Sequence, residues 1–101
     1  MRNTTITIQR AKATIRTGLP VEIQNMSWQT ATENGAQSPY DAFWIRTTGG
    51  GTVDVQRGDL LIDELEVDVM TGNNTQYRVF GRPKSYDASV VIVPAEQIIG
   101  K

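Results

Sequence analysis

The chain has 101 residues, 39% of them hydrophobic and 21% charged, a balance that suits one folded domain and excludes both two separate cores and a highly charged disordered chain. It contains no cysteine and no histidine, which excludes disulfide frameworks, thiolate nucleophiles, zinc-thiolate sites and histidine-containing triads. The net charge of −1 is too near neutral for a broad nucleic-acid surface, for which a basic domain is expected.

The charge is unevenly laid out. Residues 1–50 carry five bases (Arg2, Arg10, Lys12, Arg16, Arg46) against three acids, and residues 51–101 carry five bases against eight acids. Such polarity suits a molecule that stacks on copies of itself or on neighbours. No run approaches the roughly 20 apolar residues of a membrane-spanning helix, and the N-terminus lacks the basic-then-apolar signal pattern, so a soluble cytoplasmic protein is expected.

In chain order the grammar is that of strands. Thr4-Thr5-Ile6-Thr7-Ile8 alternates threonine with isoleucine, the period of a half-buried strand. A helix through Ile8, Lys12 and Ile15 is the weaker reading, because β-branched residues dominate. Gly18 and Pro20 punctuate the chain, and alternation resumes with Val21 and Ile23. Met26 and Trp28 fall in the opposite phase, which predicts a bulge near Gln24 and Asn25.

Residues 30–41 are polar, include Asn34-Gly35 and Ser38-Pro39, and read as a long exposed loop. Phe43 and Ile45 mark the next strand, interrupted by Gly49-Gly50-Gly51 before Val53 and Val55 open another. Arg57-Gly58-Asp59 follows, then the apolar Leu60-Leu61-Ile62, a strand through Val69, a turn at Gly72-Asn73-Asn74, the strand Gln76-Tyr77-Arg78-Val79-Phe80, and a last strand Val90-Val91-Ile92-Val93 that is apolar on both faces. Seven or eight short strands with turns between them predict an all-β fold: a single small antiparallel β-barrel or sandwich, spanning residues 1–101, with long polar loops.

Each motif has a plain reading beside a functional one. Arg57-Gly58-Asp59 could be an adhesive ligand, but a glycine between apolar runs supplies the positive φ of a tight reversal, with Asp59 ordering the turn. Asp63-Glu64-Leu65-Glu66-Val67-Asp68 could hold a hard cation, yet it lacks the central glycine of a calcium loop. As a strand it places Glu64, Glu66 and Asp68 on one solvated face and Leu65, Val67 and Val69 on the other. The triple glycine lacks the lysine and Ser/Thr of a phosphate loop and reads as a flexible hairpin tip. Arg2, Arg10, Lys12 and Arg16 could meet phosphates, and Tyr40, Phe43 and Trp44 could stack bases, as in oligonucleotide-binding barrels. No serine has a histidine partner, so neither an enzyme nor a cofactor is expected.

The segments Gln56-Arg57-Gly58-Asp59-Leu60-Leu61-Ile62-Asp63 and Thr71-Gly72-Asn73-Asn74-Thr75-Gln76-Tyr77-Arg78-Val79-Phe80-Gly81-Arg82-Pro83, followed by the terminal apolar strand, resemble the head-closure (stopper) and head-to-tail joining proteins of tailed bacteriophages. Gly58-Asp59 occupies the place of the family's strand-opening Gly-Asp, and Gly72, Tyr77, Val79 and Pro83 occupy its hairpin positions. The resemblance covers residues 53–94 best. It implies a virion protein of the neck, made in the host bacterial cytoplasm: a ring of six or twelve copies beneath the portal that retains packaged DNA and meets the tail. It further implies a loop reaching the channel, for which the candidates are Glu33, Asn34 and Gly35 in one segment and Gly49, Gly50 and Gly51 in another. Arg2, Arg10, Lys12, Arg16, Arg57, Glu64, Glu66 and Asp68 are the candidate contacts to neighbouring subunits or partners. A tail-tube or tail-terminator protein and a single-stranded nucleic-acid-binding barrel are the alternatives.

Overall fold

The computed structural model describes residues 2–37, 39–49, 53–69, 72–85 and 90–98. Strand β1 (Arg2–Arg10) turns Thr4, Ile6 and Ile8 inward and Thr5 and Thr7 outward, the alternation that its β-branched sequence favours. Ala11 and Lys12, both with positive φ (51° and 69°), make a two-residue reversal of the kind that matches strand twist. The chain then returns as β2 (Ala13–Asn25). Residues 6–15 are therefore strand and turn, and the helix considered for them does not form. Two register shifts interrupt the β1–β2 ladder, and Gly18 (φ 67°) lies within the first of them. The bulges thus fall earlier in β2 than the sequence phase indicates.

Near Gln24 and Asn25 there is no bulge. The strand ends at Asn25, and Ser27 caps a short helix, α1 (Trp28–Glu33), by accepting the Thr30 N–H on its hydroxyl at 3.2 Å. The change of phase at Met26 is a change of element. The expected loop over residues 30–41 is corrected accordingly: it holds most of α1 and a single 3-10 turn, Pro39–Asp41. At the far end of α1, Gly35 (φ 88°) donates to the Thr32 carbonyl and Ala36 donates to the Ala31 carbonyl. This pair of bonds is the glycine-terminated helix stop.

Strand β3 (Ala42–Thr47) pairs with β2, with Ile45 opposite Ile23. Residues 53–56 form no strand, contrary to expectation, although Val53 and Val55 pack on the core. Arg57-Gly58-Asp59 is the expected turn: Asp59 donates its N–H to the Gln56 carbonyl at 3.1 Å, Gly58 has φ 90°, and the Asp59 carboxylate accepts the Gln56 N–H at 2.8 Å. It does not join two adjacent strands. Instead it launches β4 (Leu60–Val67) and is stitched to the end of β5 (Asn74–Val79) by bonds between Gly58 and Val79 and between Val79 and Asp59.

A two-residue β6 (Lys84–Ser85) precedes β7 (Val91–Ile98), which continues well past Val93, the expected end of the last strand. Pro94 is tolerated inside β7 because of where it sits. On one edge β7 meets β6 at residues 91–92 and β5 at residues 95–98. Pro94 lies in the gap between them, where its carbonyl accepts the Phe80 N–H, so the missing amide takes no bond from the β3 ladder.

The order β3-β2-β1-β4-β5-β7, with β3 paired again to β7, makes a closed six-strand antiparallel barrel. Closure joins the two outer strands of the row, β3 and β7, which an open sheet this small would leave as edges. Inside it, Ile6, Ile8, Leu19, Val21, Ile23, Ile45, Leu61, Tyr77, Val79, Val91, Val93 and Ala95 form one cluster. A second cluster, Met26, Ala31 and Ala42 with Trp44 and Phe80 against it, fixes α1 to the outside of the barrel.

Candidate interaction surfaces

Period-2 alternation carries the β4 side chains inward through Leu61 and Asp63, and Asp63 is fully buried. Its Oδ1 accepts the Thr4 hydroxyl at 2.6 Å and the backbone N–H groups of Leu65 and Glu66 at 3.0 and 3.2 Å. Its Oδ2 faces Arg2 Nη1 at 2.7 Å, as an ion pair that lacks an aligned hydrogen bond. Burial pushes this carboxyl up, but the Thr4 hydroxyl, the Leu65 N–H and Arg2 together outweigh it and hold the group below its ordinary 3.8. Arg2 also pairs with Glu66 at 2.8 Å and donates to the Tyr77 hydroxyl at 3.3 Å. Burial of that phenol holds its pKa above the usual value.

Asp63 bonds two successive amides within the register shift that separates the Ile62 and Val67 pairings of the β4–β5 ladder. Leu65, Val67 and Val69, expected on the face opposite the solvated acids, are 72%, 53% and 92% exposed. Their acidic neighbours divide differently from the expected single solvated face. Glu64 lies over the outer wall and accepts from the Thr5 and Thr7 hydroxyls at 2.8 and 2.6 Å and from the Gly18 N–H at 2.8 Å. These donors, the Thr7 hydroxyl foremost, hold its carboxyl below the ordinary 4.5. Asp68 sits in the β4–β5 turn, where its N–H donates to the Asn73 carbonyl and its carbonyl accepts from Gly72.

At the opposite end, Arg10 makes two bonds of 2.9 Å to the Asp59 carboxylate and reaches Asp54 at 3.2 Å. Its hydrogen bonds to these carboxylates, Asp59 first, raise its pKa. Lys12 occupies the exposed β1–β2 tip, and Arg16 lies four residues on in β2. Arg57 donates to the Phe80 carbonyl at 3.2 Å. Together with Arg82, Val53, Val55, Pro83 and Val91 it borders an open groove of about 620 Å³.

Of the candidate contacts, the fold brings Arg2 together with Glu66, and it ties Arg2, Arg10 and Glu66 into ion pairs within the chain. The channel-loop candidates Glu33, Asn34 and Gly35 form the exposed end of α1. Gly49 lies 3.9 Å, at the position of an added Cβ, from the Pro20 ring, and Gly50 and Gly51 lie outside the described residues.

Sequence reasoning missed the buried Asp63, and it gave Asp59 its turn but not its grip on Arg10. Asp63 has the same strand parity as Leu61, which was its signal. Phe43 packs on the main core and meets the Tyr77 ring edge-on, with centroids 5.6 Å apart. Trp44 packs on the second cluster, with Lys84 Nζ 5.8 Å from its ring centroid. Tyr40 is exposed beside Trp28.

Among the described residues no helix is long and apolar enough to cross a membrane, and no group of three potential ligands is placed to hold a metal ion. No family model, curated protein or solved structure matches the chain.

Proposed function

We propose that this protein is a structural subunit of a tailed-bacteriophage neck, a head-tail connector of the stopper or head-completion kind. It assembles as a ring of six or twelve copies under the portal, retains packaged DNA without sequence preference and offers the tail its attachment surface. The observation that carries this reading is the exposed apolar run Leu65, Val67 and Val69 at the end of β4 in a closed barrel. A single copy gains nothing by holding these side chains in water, whereas a neighbour would bury them. The resemblance at Gly58-Asp59, Gly72, Tyr77, Val79 and Pro83 gives the class of neighbour.

The test is to incubate the purified chain with portal and with tail proteins, then to sediment the mixture and image it by negative stain. Rings on the portal are expected. A chain that stays monomeric and binds no portal or tail component overturns the reading.

A second reading, single-stranded nucleic-acid binding, has one observation in its favour. Trp44 lies on the outer wall with Arg46 and Lys84 around a concavity of about 200 Å³, which pairs a stacking surface with two cations. Titrating Trp fluorescence with an oligothymidine at low salt checks it: quenching that is lost in Trp44→Ala and weakened by salt supports it, and no quenching removes it. The Arg10 and Lys12 route to phosphates is weakened, because Arg10 is already held by two carboxylates.

A further inference from the structure

We infer that the groove beside residues 53–57 is a peptide-binding site, which takes an extended acidic segment of a partner protein and holds it by strand-like main-chain bonds. This goes beyond the neck reading and is tested separately from it. The groove opens at the end of the barrel where β5 stops, between the chain entering the Arg57-Gly58-Asp59 turn and the chain around β6. Its volume of about 620 Å³ falls within the roughly 300–1,000 Å³ of ligand clefts, for which barrel mouths are a favoured place.

One wall of the groove is unpaired backbone. Val53 and Val55 pack on the core, while Asp54 between them pairs with Arg10. That alternation is the one an extended chain imposes, and it leaves the N–H and C=O groups pointing sideways. Among the described residues, those of Val53, Asp54 and Val55 form no hydrogen bond. A row of open main-chain donors and acceptors is a template on which another extended chain adds. Across the groove stand Pro83 and β6, the last strand of the sheet, whose neighbour among the described strands is β7.

The side chains choose the kind of chain. Val53, Val55, Pro83 and Val91 give the groove an apolar floor, and none of the described lining residues is acidic. Two arginines border it. Arg57 uses only its Nε, on the Phe80 carbonyl at 3.2 Å, a bond that fixes the guanidinium and leaves both Nη groups open. Arg82 is exposed and has no partner among the described residues. Both acids near the turn are taken up by Arg10, Asp54 at 3.2 Å and the buried Asp59 at 2.9 Å, so neither neutralises Arg57 or Arg82. Guanidinium groups favour carboxylates, which accept two bonds in one plane. An occupant that alternates carboxylate and aliphatic side chains meets the cations, the floor and the open backbone together. A phosphodiester strand meets the arginines alone, since the groove has no aromatic lining residue to stack its bases.

The probe is a short, capped, fluorescein-labelled peptide that alternates glutamate and valine, titrated with the protein by fluorescence anisotropy at low salt. Binding is expected, and Arg82→Glu, first checked for native circular dichroism, should weaken it about tenfold. Arg78→Glu makes the same charge change at an exposed β5 residue that does not line the groove, and it should stay within about twofold. N-methylation of the peptide's valine amides should also weaken binding about tenfold, because main-chain acceptors of the groove are then left unmet. No binding, an equal loss in Arg78→Glu, or undiminished binding of the N-methylated peptide overturns the site. An oligothymidine that binds through Arg82 where the peptide does not also overturns it, and assigns the two arginines to phosphates. Each of these outcomes leaves the neck reading to be decided on the portal.

Discussion

Asp63 carries a full charge in a place where water cannot reach it, and the residues around it show how that is sustained. A buried carboxylate is costly unless its oxygens are bonded and its charge is met. Here a hydroxyl and two amides bond Oδ1, and the Arg2 guanidinium meets the charge at Oδ2. Asp63→Ala strands the Leu65 and Glu66 amides and leaves Arg2 with Glu66 and the Tyr77 hydroxyl, so a loss of about 3 kcal/mol in urea unfolding is expected.

The pH dependence has a definite sign. Asp63 and Glu64 both titrate below their ordinary values of 3.8 and 4.5 in the folded chain, so the unfolded chain binds protons more readily than the folded one. Their stabilisation is present above that ordinary range and is lost as pH falls through it toward the lower folded values. Unfolding midpoints measured from pH 7 down to 2 should fall on this acid limb. The limb should be shallower in Glu64→Gln, which removes one titrating group, and an unchanged slope would mean that Glu64 contributes nothing. Asp63 was legible in part: its parity with Leu61 points inward, but nothing in the sequence says that its carboxylate will take two amides or that Leu65 and Val67 will be exposed.

At the scale of elements, the strands were legible because alternation of Ile, Val and Thr is enforced by a face that must be buried. The helix α1 was not. Six residues of Trp-Gln-Thr-Ala-Thr-Glu bury only Ala31, too little apolar periodicity to stand out from a polar loop. Its signals were at the ends, Ser27 as cap and Asn34-Gly35 as stop, and a short helix depends on them heavily. Ser27→Ala should therefore cost about 1 kcal/mol.

A close approach lies between Gly81 and β7. A Cβ on Gly81 would come 2.7 Å from Pro94 Cγ and 3.8 Å from the Asn34 carbonyl oxygen. Gly81→Ala must push Pro94 of β7 aside, at an expected cost of about 2 kcal/mol by thermal unfolding. Gly49→Ala, whose Cβ would meet the Pro20 ring at an ordinary 3.9 Å, should stay within about 0.5 kcal/mol and serves as the control. Equal effects at the two glycines would show that the approach at Pro94 is relaxed without loss.

For the whole molecule, the decisive event is the pairing of β3 with β7, which turns a row of strands into a barrel. The sequence supplies the strands but not this closure, since Ile45 and Val93 lie far apart along the chain and no local signal joins them. In the barrel, Ile23, Ile45 and Val93 are register neighbours across three strands, and all are buried. Ile45 therefore packs on both sides of the seam. Ile45→Ala should lower stability by about 3 kcal/mol, a large share of the 5–15 kcal/mol typical of a small domain, while the neighbouring exposed Arg46→Ala changes little. Because a closed sheet has no outer strand to fray first, native-state amide exchange should give the β3–β7 amides the same opening free energy as those of β1 and β4. In Ile45→Ala all of these should fall together. If the β3–β7 amides of the unmodified chain instead open at lower free energy than the β1–β4 pair, the seam is a separate, weaker unit, and the barrel behaves as a sheet that closes last.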